Sequence, residues 1–270
     1  MKVAENPPRT FIIASNANGK VDVLEKGQMI AKKQLPIIMM QCSFQLGNYL
    51  LIGAQSKVYL VDLLNDFAIL GSVALSRHVM SITTMNAFFI VCGQQGGQLA
   101  LIQLKDGQIE KVAETKIASA IYKVVRTTQD DYALACSGGI FFAQYDGREK
   151  KFTKESDFFM ADHVVTQLHE VSPNKFAAGC WGVPYVAIID RKLRTLIKIE
   201  CPINDELQCT DLIPLPSFNS RSFPFMLQRN SKALNLVNLA TFSMHRLLMR
   251  PNQSGASPKT VIYVDKDMND

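Results

Sequence analysis

Residues 49–62 read YLLIGAQSKVYLVD, two apolar segments separated by the short polar turn Gln55-Ser56. The second segment has Lys57 and Asp62 at its ends and a continuous apolar middle, as expected for a strand covered on both faces. Similar openings, an aromatic residue followed by small or aliphatic residues, recur 38 to 47 residues apart. They begin at Phe11, Tyr49, Phe88, Tyr132, Phe176 and Phe223.

A period of about forty residues, with four short strands in each copy, is the sequence signature of a β-propeller. Turn residues such as Asp106-Gly107 and Asp146-Gly147 separate the third strand from the fourth. The fourth strands mix lysines with apolar residues, which is typical of an outer edge that must not pair with other sheets. The sequence therefore predicts an all-β chain with six four-stranded blades, and it leaves seven blades open.

The first and last segments of the chain are predicted to form one blade together. The first unit begins at Phe11 with no innermost strand before it, and the segment Thr260–Val264 is one strand too many at the other end. If that segment becomes the innermost strand of the first blade, the ring is closed. The expected organisation is a single domain over residues 1–270, with an N-terminal extension at 1–9, a linker at 251–258 and the closing strand at 259–265.

Composition narrows the class of protein. The net charge of +5 comes from 29 basic and 24 acidic residues spread along the chain, whereas nucleic-acid binding usually needs a concentrated basic stripe. We find no transmembrane-length apolar run and no secretory signal, so an intracellular, cytoplasmic protein is expected. Cys92, Cys136 and Cys180 recur 44 residues apart and are interpreted as small buried residues at one repeat position, in a reducing compartment.

The histidines suggest a family resemblance. His78 and His163 lie near the place of a Gly-His pair but follow Arg77 and Asp162, and third strands end in Asp62, Asp146 and Asp190 without a preceding tryptophan. In this arrangement the chain resembles a degenerate WD-repeat-type propeller over nearly all of residues 11–264. The resemblance implies a scaffold that binds other proteins.

No catalytic motif is present in the sequence: there is no G-x-S-x-G elbow, no Walker loop and no H-E-x-x-H helix. The sequence therefore predicts a non-enzymatic scaffold or adaptor with no cofactor and no metal, whose partners are proteins or peptides. Trp181, the one tryptophan, is the expected anchor for a partner. The predicted contact surface consists of loop residues Arg77, His78, Asp162, His163, Trp181, Asp205, Glu206 and Arg229.

Two alternatives stay open at this point. One is a six-bladed hydrolase or lyase with a metal in the central channel. The other is a structural subunit of a larger complex, which eleven methionines would suit.

Overall fold

The fold is known from a computed structural model that describes residues 11–15, 20–25, 28–200, 211–217, 220–229, 233–249 and 260–261. The strands of these residues form six antiparallel sheets of four strands each. None of the described residues belongs to a helix that could cross a lipid bilayer.

Within each sheet, strands that follow one another in the chain are neighbours. The first sheet contains β1 (Phe11–Ser15), β2 (Lys20–Glu25) and β3 (Gln28–Gln34). The second contains β4 (Met40–Leu46), β5 (Tyr49–Ala54), β6 (Lys57–Asp62) and β7 (Ala68–Ala74), and the third β8 (Val79–Thr84), β9 (Phe89–Gln94), β10 (Gln98–Lys105) and β11 (Gln108–Lys116). The fourth contains β12 (Ile121–Arg126), β13 (Tyr132–Cys136), β14 (Gly139–Asp146) and β15 (Lys151–Phe159). The fifth contains β16 (Val164–Ser172), β17 (Lys175–Trp181), β18 (Tyr185–Asp190) and β19 (Thr195–Glu200), and the sixth β20 (Asp211–Ser217), β21 (Ser220–Arg229), β22 (Ala233–Asn238) and β23 (Ser243–Met249).

The fourth strand of the first sheet comes from the far end of the chain. Strand β24 (Thr260–Val261) pairs antiparallel with β1, with Val261 opposite Ala14 and Thr260 opposite Ser15. The end of the chain therefore supplies a neighbour for β1, at the position predicted from the sequence. The remaining residues of the predicted closing strand, 259 and 262–265, lie outside the described residues.

The sheets pack face to face through apolar side chains. The strands β4, β8, β12, β16 and β20, which begin the second to sixth sheets, each contact the next in this series. We call these five the innermost strands. One cluster between the fourth and fifth sheets contains Phe142, Phe176 and Val165, all essentially inaccessible to solvent. Burial of each such side chain contributes about 1.5–3 kcal/mol, so packing between sheets holds this propeller-like fold together.

A β-bulge recurs near the start of four innermost strands. In each of them the register shifts by one residue, and the residue just after the shift lies opposite a glycine or alanine on the second strand. The four pairs are Cys42 with Gly53, Ser81 with Gly93, Lys123 with Ala135, and Gln167 with Gly179. A Cβ atom on Gly53 would lie 2.5 Å from the Cys42 Sγ and 2.8 Å from the Val79 Cγ1, so the small residue is required.

The bulges correct one prediction. Cys136 and Cys180 are equivalent, because they lie opposite Ile121 and Val165, the residues just before the register shift. Cys92 lies opposite Ile82, beyond the shift, and Gln94 occupies the position that corresponds to Cys136 and Cys180. Cys92 is therefore not equivalent to the other two cysteines. The reason is that bulges and turns change the residue count without changing the strand positions. All three cysteines are buried free thiols.

A second correction concerns the sixth sheet. The spacing of 47 residues between the openings at Phe176 and Phe223 predicts a longer loop at residues 216–221, but β20 continues to Ser217 and β21 begins at Ser220, with these two residues paired. The hairpin is therefore longer than predicted, and residues 218–219 lie outside the described part.

Candidate functional site

The sheets present two faces made of connections. What we call the first face carries the loops from each outermost strand to the next innermost strand, for example residues 75–78, 117–120 and 160–163, together with the turns between second and third strands. The second face carries the remaining turns, such as residues 127–131 and 191–194. Arg77, His78, Asp162, His163 and Trp181 all lie on the first face, as predicted.

The best-defined polar pair on the first face joins His163 to Tyr185. His163 ends the loop from β15 to β16, where its backbone N–H donates to the Met160 carbonyl at 3.0 Å. Its Nε2 lies 2.8 Å from the hydroxyl of Tyr185, the first residue of β18. The Nδ1 atom of His163 is buried, and no described residue bonds to it. The Nε2 atom of His163 is therefore hydrogen-bonded to Tyr185, whereas its Nδ1 atom has no partner among the described residues.

The surroundings of Tyr185 keep its phenol protonated. Burial raises the pKa of Tyr185, and the neighbouring Cys180 and Glu200 raise it further. The Lys198 ammonium lies 4.7 Å from the centre of its ring. A protonated phenol donates its O–H to the Nε2 of a neutral imidazole, which then carries its own proton on Nδ1.

Trp181 lies beside this pair. It ends β17 opposite Val164, the residue that follows His163, and it is 57% exposed. An exposed tryptophan of this kind offers a flat apolar surface to a ligand. Asp162 is exposed in the same loop. The predicted residues Asp162, His163 and Trp181 therefore form one neighbourhood.

The loop that carries Arg77 and His78 is held by a partly buried network around the buried Gln94. The Arg77 N–H donates to the Gln94 Oε1 at 2.8 Å, and the Gln94 Nε2 donates to the Glu114 Oε1 at 2.7 Å. Glu114 also accepts hydrogen bonds from Ser76 N (3.0 Å), Ser76 Oγ (2.8 Å) and Lys111 Nζ (2.7 Å). Burial alone would raise the pKa of Glu114, but these hydrogen bonds lower it to about 2.

Three predicted residues are not brought into this neighbourhood by the described structure. Asp205 and Glu206 lie outside the described residues. Arg229 ends β21, where its backbone pairs with Asp211 and Leu234, and its side chain is not described. Contact with partner proteins through this face stays a prediction.

The sequence reasoning missed Tyr185, Gln94 and Glu114. Tyr185 is 22 residues from His163, and its position in the third strand made it look like ordinary core. The polar Gln94 within a buried strand was a signal that could have been read, because buried polar side chains require partners.

The second face carries an ionic cluster between the fourth and fifth sheets. The Arg191 Nη1 lies 2.5 Å from the Asp131 Oδ2, and the Nη2 bonds to Glu155. Asp131 also accepts a hydrogen bond from the Thr127 hydroxyl, and the guanidinium carbon lies 3.7 Å from the centre of the Phe142 ring. Burial raises the pKa of Glu155, the opposite of the shift at Glu114, although Arg191 itself favours ionised Glu155.

An apolar groove lies on the second face between the second and third sheets. Its volume is about 810 Å³, and its lining includes Tyr49, Leu104 and the exposed Phe88. It contains none of the predicted site residues. Within the described parts of the chain, no three His, Cys, Asp or Glu side chains come together as metal ligands, so the predicted alternative with a metal in the channel finds no ligand set there.

Comparisons with known proteins bear on the fold. No protein-family model matches the chain, and no curated protein matches it. A solved structure of a candidate 6-phosphogluconolactonase from Bacteroides fragilis is similar over 98% of this chain and 86% of its own, with a TM-score of 0.70 at 12% sequence identity. This likeness shows a shared propeller-type fold. The resemblance to WD-repeat proteins receives no support.

The same comparison overturns the functional prediction. A non-enzymatic scaffold was expected, but this similar solved structure is named for an enzymatic activity, which fits the hydrolase alternative better. The expectation that the chain is not an enzyme is wrong for the same reason. It rested on absent sequence motifs, and a propeller assembles its polar groups from loops that are distant in the chain.

Proposed function

We propose that this chain is a hydrolase that opens a lactone or a similar cyclic ester at the first face, with His163 and Tyr185 as its acid–base pair. The observation that carries the proposal is the 2.8 Å contact between the His163 Nε2 and the Tyr185 hydroxyl, beside the exposed Trp181. The name of the structurally similar protein supplies the class of reaction.

The pair can move the proton that hydrolysis requires. A water attacks the carbonyl carbon and gives a proton to the Tyr185 oxygen, while the phenol proton passes to the His163 Nε2. The tetrahedral intermediate then breaks the bond between its carbon and the ring oxygen, and that oxygen takes the proton back through Tyr185. The product is a hydroxy acid, and both side chains end in their starting states. General acid–base catalysis of this kind contributes about 10²–10⁴-fold.

Trp181 has a binding role in this scheme. Its exposed ring lies next to the loop that ends at His163, so a sugar-like ring can pack against it while the ester faces the polar pair.

The test is the rate of ring opening of 6-phosphogluconolactone and of glucono-δ-lactone, corrected for spontaneous hydrolysis. The variants His163→Gln and Tyr185→Phe should each lower kcat/KM by about 10²–10⁴-fold. Tyr145→Phe is the matched control, because that phenol is near the second face in β14. No acceleration by the wild type, or a wild-type rate for Tyr185→Phe, would contradict the proposal.

We also infer that the six sheets are six blades of a ring closed by β24. The support is the pairing of β24 with β1, which gives the first sheet its fourth strand. Removal of residues 259–270 should lower the Tm, and an unchanged Tm would contradict closure.

A further inference from the structure

Lys123 is an unusual residue on an innermost strand. It is half-buried in β12, and the described residues give it no hydrogen bond and no ion pair. The three equivalent positions after the bulges hold the uncharged residues Cys42, Ser81 and Gln167. Cys42 and Ser81 each bond to the next innermost strand, through the Val79 carbonyl and the Val124 N–H. Among these four equivalent positions, which we call the layer of Lys123, Lys123 is the one charged residue.

The charge of Lys123 acts on two other sheets. It lowers the pKa of the Cys42 thiol in the second sheet, although burial dominates and raises that pKa to about 12. It also adds to the effect of burial in lowering the pKa of His169, in the fifth sheet, to about 3. Cys42 lies two sheets before Lys123 and His169 one sheet after it. Because Cys42 and Ser81, at the equivalent positions, each contact the next innermost strand, we expect the Lys123 side chain to run between the innermost strands of the fourth and fifth sheets.

The other charged side chains on the innermost strands do not neutralise it, as far as those side chains are described. Arg126 is paired with Asp130 at 2.6 Å, at the second-face end of β12. Glu170 accepts hydrogen bonds from the Thr128 N–H (2.7 Å) and the Asn174 N–H (3.1 Å), also toward the second face. A half-buried cation without a counter-ion is costly, and binding an anion removes that cost.

We propose that Lys123 binds the oxyanion group of a small ligand, a phosphate or carboxylate, in the central space near the first face. Lys123 is the third of the six residues of β12, in the half of the strand that is nearer to the first face. The uncharged Cys42 and Ser81 of its layer leave the anion without a competing negative charge. The inference goes beyond the proposed hydrolysis, since binding can be measured without turnover.

The experiment measures the Tm with increasing inorganic phosphate, glucose 6-phosphate, gluconate and, as the uncharged control, glucose. Phosphate alone tests a free oxyanion, and the two sugar acids test a phosphate or carboxylate carried by a ligand. The wild type should gain Tm with at least one anion and not with glucose, because a ligand that binds the folded state stabilises it. Lys123→Met should lose this gain, and Lys123→Arg should keep it.

Lys192→Met is the matched control, since Lys192 is exposed in a turn on the second face. In anion-free buffer, Lys123→Met should also have a Tm about 2–4 °C above that of the wild type, because an uncompensated charge is removed. An anion effect of equal size in Lys123→Met, or none in the wild type, would overturn the proposal. If Lys123→Met does not fold, Lys123→Gln and the ³¹P line width of phosphate give the same decision. These outcomes are independent of lactone hydrolysis.

Discussion

The interface between the fourth and fifth sheets ends differently at its two faces. At the second face, Arg191 is bonded to Asp131 and Glu155 and packs on Phe142, so the positive charge of Arg191 is compensated within the protein. At the first face, His163 has a single side-chain partner, Tyr185, and its buried Nδ1 has none among the described residues. The fourth and fifth sheets are therefore joined by ion pairs at the second face, whereas at the first face the Nδ1 of His163 is left available for a further hydrogen bond.

The largest expected change in stability is at the ion pairs of Arg191 on the second face. Arg191→Met should lower the free energy of unfolding by about 3–5 kcal/mol, because it leaves the buried Asp131 carboxylate without its charge partner. Denaturant unfolding measures this, with Lys192→Met as the control in the neighbouring exposed turn. The lactone-opening rate per folded molecule should not change. A loss below about 1 kcal/mol would mean that the cluster does not hold the sheets together.

A smaller effect is expected at the network around Glu114. Glu114→Ala should cost about 1–3 kcal/mol, because the buried Gln94 amide loses its acceptor. Since the pKa of Glu114 is lowered to about 2, ionised Glu114 stabilises the fold above its usual pKa of 4.5, and this stability disappears as the pH falls toward 2. Chemical unfolding at several pH values should show that slope in the wild type. A slope that persists in Glu114→Ala would assign it to other groups.

Replacement by glutamine should affect the free energy of unfolding differently at Glu114 and at Glu155, which both lie on outermost strands. The pKa of Glu155 is raised, chiefly by burial, so its ionised form is disfavoured in the folded state and its protonation at lower pH favours folding. Glu155→Gln at neutral pH should therefore change the free energy of unfolding by less than about 1 kcal/mol, and not toward instability. Glu114→Gln, measured alongside, should destabilise. Equal losses in the two variants would contradict the contrast.

The smallest change in stability is expected at Trp181. Because the side chain is 57% exposed, Trp181→Ala should alter the free energy of unfolding by no more than about 0.5 kcal/mol. In the proposed hydrolase it should raise KM more than it lowers kcat, since Trp181 contacts the substrate ring and not the reacting bond. A large loss of Tm would show that Trp181 belongs to the core.

The repeat in the sequence was enough to predict strands, sheets and the pairing of the C-terminal segment. The apolar middle of Lys57–Asp62 and the Asp-Gly turns are local signals, and local signals predict local structure. The equivalence of Cys92 with Cys136 failed because the residue equivalent to Cys136 is Gln94, opposite the residue before the bulge, and a residue count along the chain does not show where each bulge lies. The contact of His163 with Tyr185 and the unpaired state of Lys123 depend on distant strands, which a single sequence does not bring together.

The small residues opposite the bulges determine how closely neighbouring sheets approach at their innermost strands. At Gly53 and Gly93, the space that a methyl group would fill is already taken by side chains of the following innermost strand, Val79 at 2.8 Å and Val124 at 2.5 Å. A larger residue at either position would act as a wedge and widen the angle between two sheets. The separation of neighbouring sheets at their innermost strands is thus limited in part by atoms that glycine lacks, and any widening of that separation has to begin at these positions.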